Sequence, residues 1–138
     1  MGLYLCVFDE QEDDICGVEV GLYKYFAAFR QNVALFVDEK RLTNTMPTLL
    51  QHPDCDGSWS VSDCKALINE LTEIKEVFQK EPPSKEVYDL KKDVFKFWGI
   101  TPKNLFECFV DTNCEFLIDR LLELCNCAIK ENRPIMFQ

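Results

Sequence analysis

A single histidine, His52, heads the run His52-Pro53-Asp54-Cys55-Asp56-Gly57, the one stretch whose residue types and spacing approach a reactive or metal-holding set. Counted from His52, the residues Asp54, Asp56, Gly57 and Asp63 fall where a calcium loop carries its third, fifth, sixth and last positions. A hard cation wants an oxygen at the first position and a bidentate glutamate at the last. Here those places hold an imidazole and a short aspartate, so no metal is expected. The expected arrangement is a turn in which aspartates accept backbone N–H groups and Gly57 takes a positive φ. A small hydrolase or metal-dependent enzyme using His52, Asp54 and Asp56 is the alternative. It would show as bound metal, or as an activity lost in His52→Ala. Elsewhere no G-x-S-x-G elbow surrounds a nucleophile, and the five glycines form neither a dinucleotide fingerprint nor a P-loop. The expectation is a protein that is not an enzyme and uses no cofactor.

Thiols are the other candidates for chemistry. The eight cysteines stand at 6, 16, 55, 64, 108, 114, 125 and 127, and no pair has the C-x2-C or C-x4-C spacing of a structural zinc site. Several fall on apolar-periodic positions, where a thiol behaves as a small hydrophobe. Buried free thiols are therefore expected, not disulfides.

Charge offers a different kind of chemistry. The net charge is −9; residues 1–60 carry four basic and ten acidic side chains, and residues 61–138 eleven and fourteen. A negative surface repels phosphate backbones, which disfavours nucleic acid. It speeds encounter with a basic protein. The densest acidic feature is Asp9-Glu10-Gln11-Glu12-Asp13-Asp14. Glu10, Glu12, Asp13 and Asp14, with Asp54, Asp56 and Trp59, are the candidate contacts to such a partner. Trp59 and Trp98 sit beside element boundaries, where core anchoring is the commoner role. The opening Met1–Phe8 lacks a signal segment's leading charges and length, and no apolar run nears the roughly 20 residues of a membrane span. A cytoplasmic location with no membrane partner is expected.

These groups must be positioned by ordinary elements. Residues 2–9 and 15–20 read as the strands of a hairpin around the acidic loop. Leu22, Tyr25, Phe26, Phe29, Val33 and Phe36 recur at helical spacing. Residues 38–58 read mostly as loop, with a short strand near Thr48–Leu50. Ser60 and Asp63 fit a capping box for a helix carrying Cys64, Leu67, Ile68, Leu71, Ile74 and Phe78 inward and Lys65, Glu70, Glu73 and Glu76 outward, stopped at Pro82-Pro83. Ser84 caps a helix with Val87, Leu90, Val94 and Phe97 on its inner face and Gly99 as its stop. Leu105–Val110 reads as a strand. Thr112 and Glu115 suggest a cap for the last helix, which bears Leu117, Ile118, Leu121, Leu122, Cys125, Ala128 and Ile129. After Pro134 a terminal strand follows. The sum is one α+β domain over residues 1–138. A small mixed or antiparallel sheet, from the N-terminal hairpin plus C-terminal strands, packs with three to four amphipathic helices.

Several stretches together resemble the bacterial immunity protein 70 family. They are Met1-Gly2-Leu3-Tyr4-Leu5, Gly17-Val18-Glu19-Val20-Gly21 leading into Tyr25-Phe26-Ala27-Ala28-Phe29-Arg30, Pro47-Thr48-Leu49, His52 to Ser60, Leu67 with Glu70-Leu71, Leu121 to Cys125, and Pro134 to Gln138. The stretch from about 80 to 103 resembles it least. The resemblance implies an immunity protein of a polymorphic toxin system, which binds and neutralises a cognate toxin domain in the cytosol. Occlusion of the toxin's active site by an acidic surface fits both that implication and the charge. A housekeeping interaction module is a further alternative, separated by whether a toxin gene lies next door.

Overall fold

Leu3, Leu5 and Val7 alternate along the first apolar run, and all three are fully buried on strand β1 (Gly2–Phe8). Successive side chains of a strand point to opposite faces, so this spacing turns one face into the core. β1 pairs with β2 (Asp14–Leu22) on one side and with β4 (Ile135–Phe137) on the other, and β4 pairs with β3 (Ser58–Trp59). The computed structural model describes residues 2–38, 47–50, 52 and 57–138; among them the sheet runs β2-β1-β4-β3, antiparallel throughout. Packed with helices, it is the α+β architecture expected.

Helix α1 (Tyr23–Val33) buries Phe26, Phe29 and Val33 and runs into a π-helical turn, Ala34–Asp38. A helical turn α2 (Pro47–Leu50) follows. Helix α3 (Val61–Lys80) starts at the expected box: Asp63 N–H donates to Ser60 Oγ at 3.0 Å, and Ser60 N–H to the Asp63 carboxylate at 3.0 Å. Its inner face, Cys64, Leu67, Leu71, Ile74 and Phe78, packs on helix α7 (Leu117–Glu131), which buries Leu117, Ile118, Leu121, Leu124, Cys125 and Ala128. Phe29 lies at the centre of an aromatic cluster, with ring centroids 6.4 Å from Phe26, 6.1 Å from Phe78 and 5.2 Å from Phe109. Each such ring contributes roughly 1.5–3 kcal/mol by leaving water.

Several local expectations are corrected. Residues 105–108 are a helical turn, α6 (Leu105–Cys108), because Asn104 caps it by accepting from Glu107 N–H at 3.0 Å. Only Val110 keeps strand character, bridging Phe116. Thr48–Leu50 is helical because Pro47 starts the turn and the Glu70 carboxylate accepts from the N–H groups of Thr48 (3.3 Å) and Leu49 (3.1 Å). Glu70 is thus buried and not on the outer face. The helix expected from Ser84 to Gly99 is broken into α4 (Lys85–Leu90) and α5 (Lys92–Trp98) at Lys91, whose φ of −124° and ψ of 27° are not helical. Ser84 does cap α4, its hydroxyl accepting from Val87 N–H. Gly99 does end α5, in the left-handed region at φ 67°. The last helix begins at Leu117 without a side-chain cap, so the Thr112 cap is not made.

The thiols divide. Cys6, Cys64, Cys108 and Cys125 are buried and free, as expected of small hydrophobes. Cys16 and Cys127 are instead joined in a disulfide. Sequence spacing could not show this, since the pair is 111 residues apart and meets only because β2 packs on α7.

Candidate partner-binding surface

The acidic stretch forms the turn between β1 and β2. The Asp9 carboxylate accepts from Gln11 N–H (2.8 Å) and Asp13 N–H (2.9 Å), and Asp9 N–H donates to Asp13 O at 2.9 Å. Short Asp side chains favour such loops because they replace backbone partners. Arg133 donates to Asp9 O at 3.1 Å from the segment before β4. The next residues, Glu10, Glu12, Asp13 and Asp14, are all exposed. Asp14 is engaged: it accepts from the Tyr4 hydroxyl at 2.6 Å, and this bond, with burial, pushes the phenol up to about 12. The Tyr4 ring crosses directly over Gly17, where a Cβ would meet the hydroxyl at 2.1 Å. Only glycine permits that crossing. Glu10, Glu12 and Asp13 pair with no cation among the described residues, so three carboxylates face solvent on a well-braced turn. Beside them a cleft of about 150 Å³ is lined by Phe8, Asp9, Glu12, Arg133, Pro134 and Met136.

Of the other candidates, Trp59 does not join this surface. Asp54 and Asp56 lie outside the described residues. His52 stacks on Phe137 with centroids 4.3 Å apart and sets Nε2 3.0 Å from Ser58 O. Gly57 takes the expected positive φ, 88°. Trp59 is 1% exposed, and its indole N–H donates to Thr48 O at 3.1 Å. It anchors the core and presents no surface to a partner. Trp98 is the reverse, 54% exposed beside Phe97 at 83%, so the core role expected of each is corrected: the break at Lys91 turns α5 so that Phe95, not Phe97, faces inward.

Sequence reasoning missed a polar cluster on the outer edge of β2. Asp111 is 1% exposed, and its carboxylate accepts from Asn113 N–H (2.9 Å), Glu115 N–H (3.0 Å) and Arg120 Nε (3.2 Å). Arg120 also donates to Glu123 (2.7 Å) and to Gly17 O (3.0 Å). Thr112 N–H donates to Glu19 O at 3.0 Å. Lys91, nearly buried, donates to Val110 O and lies 3.5 Å from Val20 O, with Nζ 4.4 Å from the Tyr25 ring centroid. Burial pushes the Lys91 ammonium down to about 8, against the opposing pull of Asp111. Carbonyls of β2 that would otherwise invite another strand are thereby occupied. This leaves the acidic turn, not the strand edge, as the accessible end of the hairpin. A buried aspartate nine residues before an arginine was the available signal, but no periodicity marks it.

Among the described residues no helix is long and apolar enough to cross a membrane. No curated protein and no solved structure matches the chain. The family described as Immunity protein 70 matches residues 3–137, nearly the full length, and the chain belongs to that family.

Proposed function

We propose that this protein binds a cognate toxin domain in the cytosol and neutralises it by covering its active site. Family membership supports an immunity role in general. The observation that carries the mechanism is the turn at 9–13, where Glu10, Glu12 and Asp13 are exposed with no cation among the described residues and the backbone beneath them is fixed. Carboxylates held this way attract a basic surface with no further ordering of the backbone, and they act mainly on the rate of encounter. The 138 residues work as one domain, and the role needs neither catalysis nor a cofactor.

The test is direct. Purified protein, mixed with the toxin-domain polypeptide encoded beside its gene, should form a stable complex and abolish that polypeptide's activity. Absence of binding, with both partners folded, would overturn the reading.

A further inference from the structure

Residues 82–104 leave the body of the molecule and return to the point of departure: Leu105 N–H donates to Glu81 O at 3.0 Å. The excursion is pinned from within. Val87 and Phe95 are buried, Phe95 stacks on Tyr88 with centroids 5.3 Å apart, and Lys91 reaches Val20 O on β2. Its end is fixed as well, since Ile100 N–H donates to Phe95 O at 2.9 Å and Gly99 N–H to Lys96 O at 3.2 Å. On this rigid base the two most exposed large apolar side chains among the described residues, Phe97 and Trp98, stand edge to face, 5.7 Å between centroids.

A solvated Phe–Trp pair has an unfavourable contact with water that nothing in the fold requires. Aromatic side chains on rigid supports are the usual anchors of protein interfaces. The charge exposed around this pair is opposite in sign to that of the whole chain: residues 84–103 expose four lysines, Lys85, Lys92, Lys96 and Lys103, and three acidic residues, Glu86, Asp89 and Asp93, in a protein of net charge −9.

We propose that Phe97 and Trp98 are an aromatic anchor that enters an apolar pocket with an acidic rim on the toxin domain. This rests on the function proposed above and gives that interface a second contact. The anchor is separate from the acidic turn. Lys91, just before α5, meets β2 at Val20, six residues from Asp14 and roughly 20 Å along the strand. A second copy of this chain is the poorer occupant. A two-fold contact would set lysines against their own copies, and the two rings of each copy cover roughly 300–500 Å², under the roughly 800 Å² per partner of a standard interface. An anionic lipid surface would meet a chain of net charge −9.

The experiment compares the wild-type chain with F97A, W98A and F97A/W98A, using the toxin-domain polypeptide encoded beside the gene as probe. The double variant should dissociate at least about 30-fold faster, the loss expected of an interface hot spot, with an association rate within about twofold of wild type. Should the double variant not fold, the single variants, each with a faster dissociation rate, carry the test. Unchanged dissociation while wild type binds and inhibits would overturn the anchor and leave the proposed function standing. Failure of wild type to bind would overturn both. Sedimentation showing a wild-type dimer that F97A/W98A dissociates would assign the pair to a second copy and overturn the anchor.

Discussion

The turns Asp9–Asp13 and Asp111–Glu115 share one backbone design. In each, the first aspartate accepts from the N–H groups two and four residues on, and its own N–H donates to the carbonyl of the fifth residue. The fourth residue is left-handed in both, φ 63° at Glu12 and 61° at Cys114. Each turn closes an antiparallel pair, Phe8 with Asp14 and Val110 with Phe116. Their surroundings differ. Asp111 is 1% exposed and bonded to Arg120, with Lys91 close by, whereas among the described residues the N-terminal turn meets one guanidinium, Arg133, and through a carbonyl. The same local hydrogen bonds thus make an internal brace where cations are supplied and an acidic surface where they are not. Loop conformation is a property of local sequence; its use is decided by what packs beside it.

The comparison predicts its largest effect at Arg120. Arg120→Ala would leave the buried Asp111 carboxylate without the cation bonded to it, for a loss of about 3 kcal/mol in urea unfolding. Arg133→Ala, which removes one bond to a carbonyl, should lose less than about 1 kcal/mol. Equal losses would mean that the two turns are held alike.

The second cation of the buried turn should show itself through pH. In the folded chain the Lys91 ammonium is pushed down to about 8, from an ordinary value of 10.5. Between those values the unfolded chain holds a proton that the folded chain has released, so raising pH favours the folded state. Below about 8 the buried charge carries its full cost. Lys91→Met should therefore be more stable than wild type at pH 7, by about 2 kcal/mol, with the advantage shrinking toward pH 10. Thiols and phenols that do not interact with Lys91 cancel in the difference, and Cys114→Ser in both proteins removes the thiol that does. An advantage that stays constant from pH 7 to 10 would rule out Lys91 as its source.

A smaller effect belongs to the exposed turn itself. Asp9→Ala removes acceptors for two N–H groups that water can partly satisfy, and should lower stability by about 1 kcal/mol. Tyr4→Phe, which releases Asp14, should cost about as much or less. A loss at Asp9 matching that at Asp111→Ala would contradict the difference in burial.

How far these features could be read from sequence follows the same division. The hairpin, α1, α3, α7 and the terminal strand were legible because periodicity reports burial directly, as at Leu3, Leu5 and Val7 or Cys64, Leu67 and Leu71. The Ser60–Asp63 box and the Gly99 stop were legible because capping is local. Glu70 was misplaced because its partners, Thr48 and Leu49, lie about twenty residues away and only the fold brings their N–H groups to it. Lys91 and the Cys16–Cys127 pair were hidden for the same reason. Asp111 does not stand out beside Thr112, since either can cap a helix and a cap and a five-residue turn begin alike. Of the candidate contacts, the acidic turn is visible in composition, while Trp59 is buried and Trp98, expected in the core, is exposed, because a tryptophan beside an element boundary does not reveal which way it faces.

The smallest expected change in stability is also the most telling for function. E10Q/E12Q/D13N removes the three carboxylates that no described cation answers and spares Asp9 and Asp14, which brace the turn. Stability should stay within about 0.5 kcal/mol, as for surface changes that break no structural contact. Association with the toxin-domain polypeptide should slow by about 3–10-fold at low salt, and the rate should depend less on ionic strength, because charge acts on encounter. Dissociation should hardly change, since rim charges add little once water is excluded from the centre of an interface. The opposite pattern, an unchanged association rate with faster dissociation, would place these carboxylates inside the contact and make the turn an anchor instead of a lure. An unchanged affinity in both rates would leave the acidic turn as a solvated connection, and the difference between the two turns would then be one of burial alone.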